Sequence, residues 1–221
     1  MIIPQNATIL FQGDSITDCN RERQFPDEMP PANQPKAMGH GYAGRAAAKL
    51  LARFPDQNYS IFNRGISGNR ITNLRDRWET GFKIIRPDVV SILIGVNDTW
   101  HGVANGTPEE GVGLEEYERI YRQLLDKLKE TFPEVKLVLC QPFVVECGAV
   151  LRLNFHPDID RRRDLARKVA EEYADVWVPF QDLFDELVKE EPPQYWARDG
   201  VHPSLAAHER MAEFWLEKVL G

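Results

Sequence analysis

Short runs of apolar and β-branched residues alternate along the chain with longer amphipathic segments. Near-continuous hydrophobic runs of this kind are typical of strands that are covered on both faces, and they occupy residues 8–11, 59–62, 89–94, 135–140 and 175–178. Helical periodicity appears at 42–53, 71–85, 114–131, 159–173 and 203–220. In the last segment the pattern predicts Pro203 in the first helical turn and a buried face formed by Leu205, Ala212, Trp215, Leu216 and Val219.

Strand–helix alternation predicts right-handed βαβ units and an open parallel sheet. We therefore expect a three-layer α/β/α sandwich with a five-stranded parallel sheet, and the length of 221 residues predicts a single domain over 1–221. Two irregular segments, 19–38 and 100–113, follow the first and third strands and are rich in glycine, proline or charge. Long loops at strand ends commonly shape binding sites, and we expect that role for both.

Composition narrows the range of partners. The net charge is −7 and the isoelectric point is near 5.3, which disfavours binding to nucleic acid or to anionic membrane surfaces. The arginines at 161–163 are flanked by aspartates, which indicates a solvated helix face. Five tryptophans and the proline-containing loop at 19–38 are compatible with a homo-oligomeric interface but do not locate one.

The cysteine content and the amino terminus bear on location. Cys19, Cys140 and Cys147 show no paired spacing, which fits a reducing compartment. The amino terminus lacks the charged and apolar regions of a secretory signal, and no apolar stretch approaches membrane-spanning length. We therefore expect a cytoplasmic protein.

Residues capable of acyl-transfer chemistry follow the predicted strands. Ser15 follows the first strand, Gly65 and Gly68 the second and Asn97 the third, and Asp199 and His202 precede the last helix. Each segment alone has a structural interpretation, as a turn, a tight backbone, a helix cap or a surface ion pair. Ligands of open parallel sheets bind beyond the carboxyl ends of the strands, so the joint occurrence of these groups predicts one active site.

The four segments resemble the four sequence blocks of the SGNH (GDSL-type) serine hydrolases. The matching residues are Gly13-Asp14-Ser15, Gly65-x-x-Gly68, Gly95-x-Asn97-Asp98 and Asp199-x-x-His202-Pro203, and the likeness extends over 8–208. The resemblance implies the flavodoxin-like SGNH hydrolase fold and an oxyanion hole formed by the N–H groups of Ser15 and Gly68 and the Asn97 amide. Residues 66–69 and 92–100 look most similar to bacterial carbohydrate acetylesterases, which implies a small-molecule ester substrate such as an acetylated sugar.

The side-chain chemistry agrees with this implied mechanism. A serine hydroxyl needs a neighbouring base; His202 can accept its proton, and Asp199 can fix the imidazole tautomer. No metal or organic cofactor is required, and the spacing of His202 and His208 does not suit two metal ligands on one helix face.

Several nearby residues keep two interpretations. Asp14 and Asp98 are expected to orient loops by hydrogen bonds, with a direct role in the chemistry as the alternative for both and substrate contact as a further alternative for Asp14. Trp100 and His101 either line an acyl or sugar subsite or serve packing and exposure, and Trp196 has the same alternatives. Tyr195 is expected in the core.

Three functions follow from these observations. The first is an esterase that removes short acyl groups, acetyl above all, from a carbohydrate. The second is a lysophospholipase or thioesterase for longer chains, which a wide apolar pocket would favour. The third is a non-catalytic binding module. Loss of the serine or the histidine would indicate such a module, but both residues are present.

Overall fold

The computed structural model describes residues 2–23 and 31–221, so part of the irregular segment 19–38 lies outside the described residues. The expected five-stranded sheet is confirmed, with all of its strands parallel and the order β2-β1-β3-β4-β5. The strands are β1 (Thr8–Gly13), β2 (Ser60–Asn63), β3 (Val89–Leu93), β4 (Lys136–Cys140) and β5 (Val176–Val178).

Helices cover both faces of the sheet. The α-helices are α1 (Ser15–Asp18), α2 (Pro35–Met38), α3 (Tyr42–Arg53), α4 (Ile71–Asp76), α5 (Val96–Trp100), α6 (Leu114–Thr131), α7 (Gly148–Arg152), α8 (Asp158–Tyr173), α9 (Phe180–Glu190), α10 (Pro193–Trp196) and α11 (Leu205–Leu220). Short 3₁₀ turns occupy Pro55–Gln57, Val103–Asn105 and Pro108–Glu110, and Glu79–Lys83 is a π-helical turn. Within the described residues, none of the helices has the length and apolar character needed to cross a membrane.

The alternation of side chains along each strand divides the interior into two cores. Ile9 and Phe11 of β1 pack with α3, α9 and α11, whereas Leu10 packs on the opposite face with α4 and α6. Each of these three strand residues is fully buried. Strands buried on both faces explain why the sequence shows continuous apolar runs rather than alternation.

Two helical predictions need correction. The segment 71–85 is not one helix, because α4 ends at Asp76 and a π-helical turn follows. At the carboxyl-terminal helix, Ser204 is the cap, so Pro203 lies outside the first turn, and Leu205 is 70% exposed rather than part of the buried face. The Ser204 hydroxyl accepts the Ala207 N–H at 3.2 Å and fixes the helix start.

The register of the strands brings the predicted site segments together. Gly13 of β1 lies opposite Leu93 of β3, and Phe11 lies opposite Asn63 of β2. The loops that leave the carboxyl ends of these three adjacent strands are therefore neighbours, as expected for an open parallel sheet.

Candidate active site

Ser15 is the first residue of α1 and follows a tight turn from β1. A Cβ at Gly13 would lie 2.3 Å from the carbonyl oxygen of Leu93, so the close approach of β1 and β3 requires glycine there. Asp14 caps α1, because its Oδ1 accepts the Ile16 N–H at 3.0 Å. Among the described residues, the Ser15 backbone N–H has no protein acceptor, as is usual for the first turn of a helix.

The structure brings Ser15, His202 and Asp199 into one hydrogen-bonded chain. Ser15 Oγ lies 2.9 Å from His202 Nε2, and His202 Nδ1 lies 2.6 Å from Asp199 Oδ2. Asp199 Oδ1 accepts the backbone N–H groups of Val201 at 2.9 Å and His202 at 2.8 Å. Since an ionised carboxylate only accepts, Nδ1 carries the proton and Nε2 is free to accept the serine proton.

The charges of this chain suit a base at near-neutral pH. The hydrogen bond with Asp199 raises the pKa of His202, against the opposing effect of partial burial. Burial would raise the pKa of Asp199, but hydrogen bonds from the His202 side chain, from its backbone N–H and from Val201 outweigh burial and hold that pKa well below its usual value. Asp199 therefore stays ionised while His202 titrates.

A loop from another part of the chain supports the Asp199 segment. Ala149 N–H donates to Asp199 O at 2.7 Å, and Cys147 Sγ donates to Ala197 O at 2.8 Å. A Cβ at Gly148 would lie 2.5 Å from Asp199 Cα, and one at Gly200 would lie 2.6 Å from the carbonyl oxygens of Cys147 and Val145. The sequence pattern gives no signal of these contacts, which join distant segments through two glycines.

The predicted oxyanion donors lie on the adjacent loops. Gly68 has φ of +81°, and its backbone N–H has no protein acceptor among the described residues. Asn97 lies in the first turn of α5 and is buried; its Nδ2 donates one hydrogen bond, to Asn69 O at 3.1 Å. The second N–H of that amide is therefore left for another acceptor.

Asp14 and Asp98 are buried below these loops, each 1% exposed. Asp98 Oδ1 accepts the Ile71 N–H at 3.0 Å and so ties α5 to the start of α4. Burial raises the pKa of Asp14 and that of Asp98 to about 7. For Asp14 the structure supports the loop-orienting role rather than substrate contact, because its carboxylate caps α1 inside the protein.

The predicted tryptophan contacts divide into two cases. The partly exposed Trp100 ring lies 5.7 Å, between centroids, from the His202 ring. Trp196 is 4% exposed and donates from Nε1 to Glu191 O at 3.2 Å, which supports packing rather than substrate contact for Trp196. Tyr195, expected in the core, is instead 53% exposed. Neighbouring residues of a helix point about 100° apart around its axis, so the short α10 turns one ring inward and the other outward.

His101 and two arginines complete the surroundings of the site. A Cβ at Gly68 would have the His101 Cε1 as its nearest neighbour, at 3.7 Å. Arg21 and Arg23 line the same cavity as Ser15 and His202 and were not among the predicted site residues. Their sequence signal is two arginines shortly after Ser15 in a charged segment.

In the described part of the chain, no cluster of His, Cys, Asp or Glu is arranged to hold a metal ion.

Comparisons with known proteins agree with this geometry. Residues 11–210 match the model of the GDSL-like lipase/acylhydrolase family. The acetylxylan esterase of Geobacillus stearothermophilus is 35% identical over 221 residues, covering 99% of this chain and 96% of that protein. A structure from Parabacteroides merdae, solved as a GDSL-like lipase, has a TM-score of 0.89 and 42% identity over 97% of this chain and 96% of its own. A catalytic mutant of the Geobacillus esterase, with alanine in place of a serine, has a TM-score of 0.85 and 34% identity over 98% of this chain and 95% of its own.

Proposed function

The chain belongs to the GDSL-like lipase/acylhydrolase family and is a carboxylic ester hydrolase, and on that premise we propose that it removes acetyl groups from carbohydrates through an acyl-enzyme on Ser15. The observation that carries the proposal is the chain of contacts from Ser15 Oγ to His202 Nε2, at 2.9 Å, and from His202 Nδ1 to Asp199 Oδ2, at 2.6 Å.

In the proposed mechanism, Ser15 Oγ attacks the ester carbonyl carbon while His202 Nε2 takes the hydroxyl proton. Asp199 stabilises the imidazolium that forms and keeps its ring oriented. The tetrahedral intermediate then collapses, the carbon–oxygen bond to the sugar breaks, and His202 returns the proton to the leaving alcohol. Water repeats the sequence on the acetyl-Ser15 ester and releases acetate.

The negative charge on the carbonyl oxygen requires donors that are already in place. We assign this role to the backbone N–H groups of Ser15 and Gly68 and to the second N–H of the Asn97 side chain. The two backbone groups have no other protein acceptor among the described residues, which supports the assignment. Removal of one such donor typically lowers the rate by about 10²–10³-fold, and we expect that loss for Asn97→Ala.

A short acyl group fits the side of the site that carries aromatic rings. The Trp100 ring lies 5.7 Å from that of His202, and His101 approaches the Gly68 backbone. The cavity on the other side of Ser15, of about 790 Å³, carries Asp18, Asn20, Arg21 and Ser67 and suits a polar alcohol. We therefore place the acetyl group toward Trp100 and His101 and the sugar in the cavity.

The longer-chain alternative, a lysophospholipase or thioesterase, is not favoured. The more apolar cavity of the described structure, of about 610 Å³, is lined by Met38, Ala47, Leu51 and Leu205 among others and includes neither Ser15 nor His202. Neither this cavity nor the one at Ser15 includes Trp100 or His101, so neither would bury the methylenes of a long acyl chain on that side of Ser15.

The test compares ester chain lengths in the purified enzyme. We expect p-nitrophenyl acetate to be hydrolysed much faster than the decanoate ester, and acetate to be released from acetylated xylo-oligosaccharides. Ser15→Ala abolishes both activities, whereas the matched control Ser60→Ala, at the opposite end of the sheet, retains them. Equal or faster hydrolysis of the decanoate refutes the acetyl assignment, and full activity of Ser15→Ala refutes the mechanism.

We also propose a reducing, cytoplasmic location. Cys19, Cys140 and Cys147 are all free thiols, and the last two are buried, which fits a compartment without disulfide formation. The measurement is fractionation of the native organism, with esterase activity expected among cytoplasmic markers and not in the medium. Assembly into a homo-oligomer stays a prediction.

A further inference from the structure

Arginine side chains form one wall of the cavity that contains Ser15 and His202. Arg21 and Arg23 line this cavity, whose volume is about 790 Å³. Arg21 Nε donates to the carbonyl oxygen of Gly65 at 2.6 Å. That contact holds the guanidinium beside the loop that leads to Gly68.

The Arg21 guanidinium still has hydrogen-bonding capacity in the cavity. Of its five N–H donors, one binds Gly65, and among the described residues the two Nη nitrogens have no protein acceptor. Two parallel N–H groups of an arginine match the two oxygens of a carboxylate better than any neutral hydroxyl. The cavity therefore offers a planar two-pronged donor next to the nucleophile.

The surroundings add positive charge to this wall. Burial, opposed by Asp18 and assisted by repulsion from the nearby Arg64 and Arg23, lowers the pKa of Arg21 to about 10. Arg77 shows the same pattern, with burial first and then repulsion from Arg64 and Arg21 lowering its pKa to about 9. Crowded cations are stabilised by an added anion, and each of these groups remains protonated at neutral pH.

Asp18 is the carboxylate that meets this arginine group in the described part of the chain, and it is already engaged. Its Oδ2 pairs with Arg23 and accepts the Ser67 N–H at 2.8 Å, and its side chain is 4% exposed. Asp18 therefore fixes Arg23 and the Ser67 backbone from the protein interior and leaves the Arg21 Nη groups unoccupied. The net charge of the whole chain is −7, so the positive charge here is local and cannot serve as general attraction for anions.

We propose that Arg21, with Arg23 beside it, forms a subsite for the carboxylate of an acidic sugar. The favoured substrates are then acetyl esters on saccharides that carry a uronic acid, with the acetyl group at Ser15 and the carboxylate in the Arg21 fork. This inference rests on the proposed function and names a narrower substrate class for the same site.

The experiment uses two substrates that differ in one carboxylate, a mono-O-acetyl glucuronic acid and the mono-O-acetyl glucose acetylated at the same position. Acetate release gives kcat/KM for each, and the ratio of the two values is the readout. A charge-assisted hydrogen bond contributes about 1.5–3 kcal/mol, so we expect a ratio of roughly 10 to 100 in the wild-type enzyme, mainly through a lower KM for the acid.

Arg21→Gln and Arg21→Lys separate recognition from structural support. Damage to the Gly65 loop lowers both kcat/KM values and leaves their ratio unchanged, whereas loss of the subsite brings the ratio toward 1. We expect Arg21→Gln to lose the preference, Arg21→Lys to keep a small part of it, and Arg23→Gln to weaken it. The control Arg119→Gln, on the exposed surface of α6, leaves the ratio at the wild-type value.

Two outcomes overturn the inference and leave the proposed function intact. One is a wild-type ratio near 1 with rapid hydrolysis of p-nitrophenyl acetate; the other is a high ratio that persists in Arg21→Gln. An enzyme that hydrolyses neither sugar ester nor p-nitrophenyl acetate refutes the proposed function itself. The readouts therefore distinguish the two failures.

Discussion

At the scale of single residues, the proton affinity of His202 depends on one carboxylate. The hydrogen bond that His202 donates to Asp199 raises the pKa of His202, so a larger fraction of the imidazole is protonated at a given pH than in an isolated histidine. A protonated Nε2 cannot accept the serine proton. The esterase rate should therefore rise with pH through this elevated pKa.

Asp199→Asn tests this dependence. The substitution removes the interaction that raises the pKa, so the acid limb of the kcat/KM profile for p-nitrophenyl acetate should move to lower pH. The rate on the plateau should fall by about 10⁴-fold, because the imidazole loses its orienting acceptor. Circular dichroism checks that the variant is folded. An acid limb at the same pH in both enzymes contradicts the assignment of His202 as the titrating base.

His101 gives a second prediction at this scale, about acyl length. Its Cε1 lies 3.7 Å from the position of a Cβ on Gly68, and we expect the ring to limit the acyl side of the site. In His101→Ala, the kcat/KM for p-nitrophenyl butyrate relative to acetate should rise by up to roughly tenfold, since each buried methylene contributes about 0.8 kcal/mol. The exposed His40→Ala is the matched control, and an unchanged ratio in His101→Ala means that another residue sets the limit.

At the scale of elements, the position of Asp199 depends on the close packing of two loops. Gly148 has φ of +53°, and a Cβ there would lie 2.5 Å from Asp199 Cα. The atoms that this Cβ would meet all belong to the backbone, so the clash can be relieved only if the Asp199 segment moves. A shift of about 1 Å in a catalytic group can lower the rate by about 10²-fold.

Gly148→Ala should therefore lower kcat/KM by about 10²-fold. Gly106→Ala is the matched control, because Gly106 also has positive φ, of +76°, but no atom of the described residues lies within 4 Å of its added Cβ. Both variants carry the strain of alanine in a left-handed conformation, roughly 1 kcal/mol, and differ in the contact with Asp199. Equal kcat/KM in the two variants contradicts the positioning role of Gly148.

The sequence predicts correctly the helices whose pattern depends only on residues close together in the chain. α3 and α6 begin and end where periodicity placed them, because each buries one apolar face against the sheet. The predicted helix over 71–85 instead ends at Asp76 and is followed by a π-helical turn that contains Gly81, a weak helix former. The Gly81 carbonyl oxygen accepts a hydrogen bond from the buried Gln12 side chain at 2.5 Å. That contact joins residues distant in sequence, and no local pattern records it.

The site shows the same division between local and distant causes. Ser15 and Asn97 follow directly from the strands that carry them, so the rule for open parallel sheets was enough to bring them together. The burial of Trp196 and the support of Asp199 by Gly148 depend on loops that meet in the folded chain. Such contacts exist only in the folded chain, so no local sequence pattern records them.

At the scale of the whole molecule, one sheet joins two cores. Trp215 lies in the core that packs under α11 and donates from Nε1 to Ser91 Oγ of the central strand at 3.0 Å. Trp78 lies in the other core, stacked on Phe82 with ring centroids 5.6 Å apart. Both cores use side chains of the same strands, so neither layer can lose its packing without exposing the sheet to water. That residues 1–221 form a single domain stays a prediction, which this coupling makes testable.

We expect urea to unfold the chain in one cooperative transition. In the wild-type protein the midpoints from far-ultraviolet circular dichroism and from tryptophan fluorescence should coincide. Trp78→Phe and Trp215→Phe each remove one tryptophan from one core and, by leaving a partly filled space, should lower both midpoints together. If the layers unfold independently, fluorescence and circular dichroism separate in Trp78→Phe, where Trp100, Trp196 and Trp215 remain as reporters of the opposite core and Trp177 alone remains in the core of Trp78. If the two methods give the same midpoint within each of the three proteins, the strands transmit the loss of packing from either face to the other, as expected when both cores are built on one sheet.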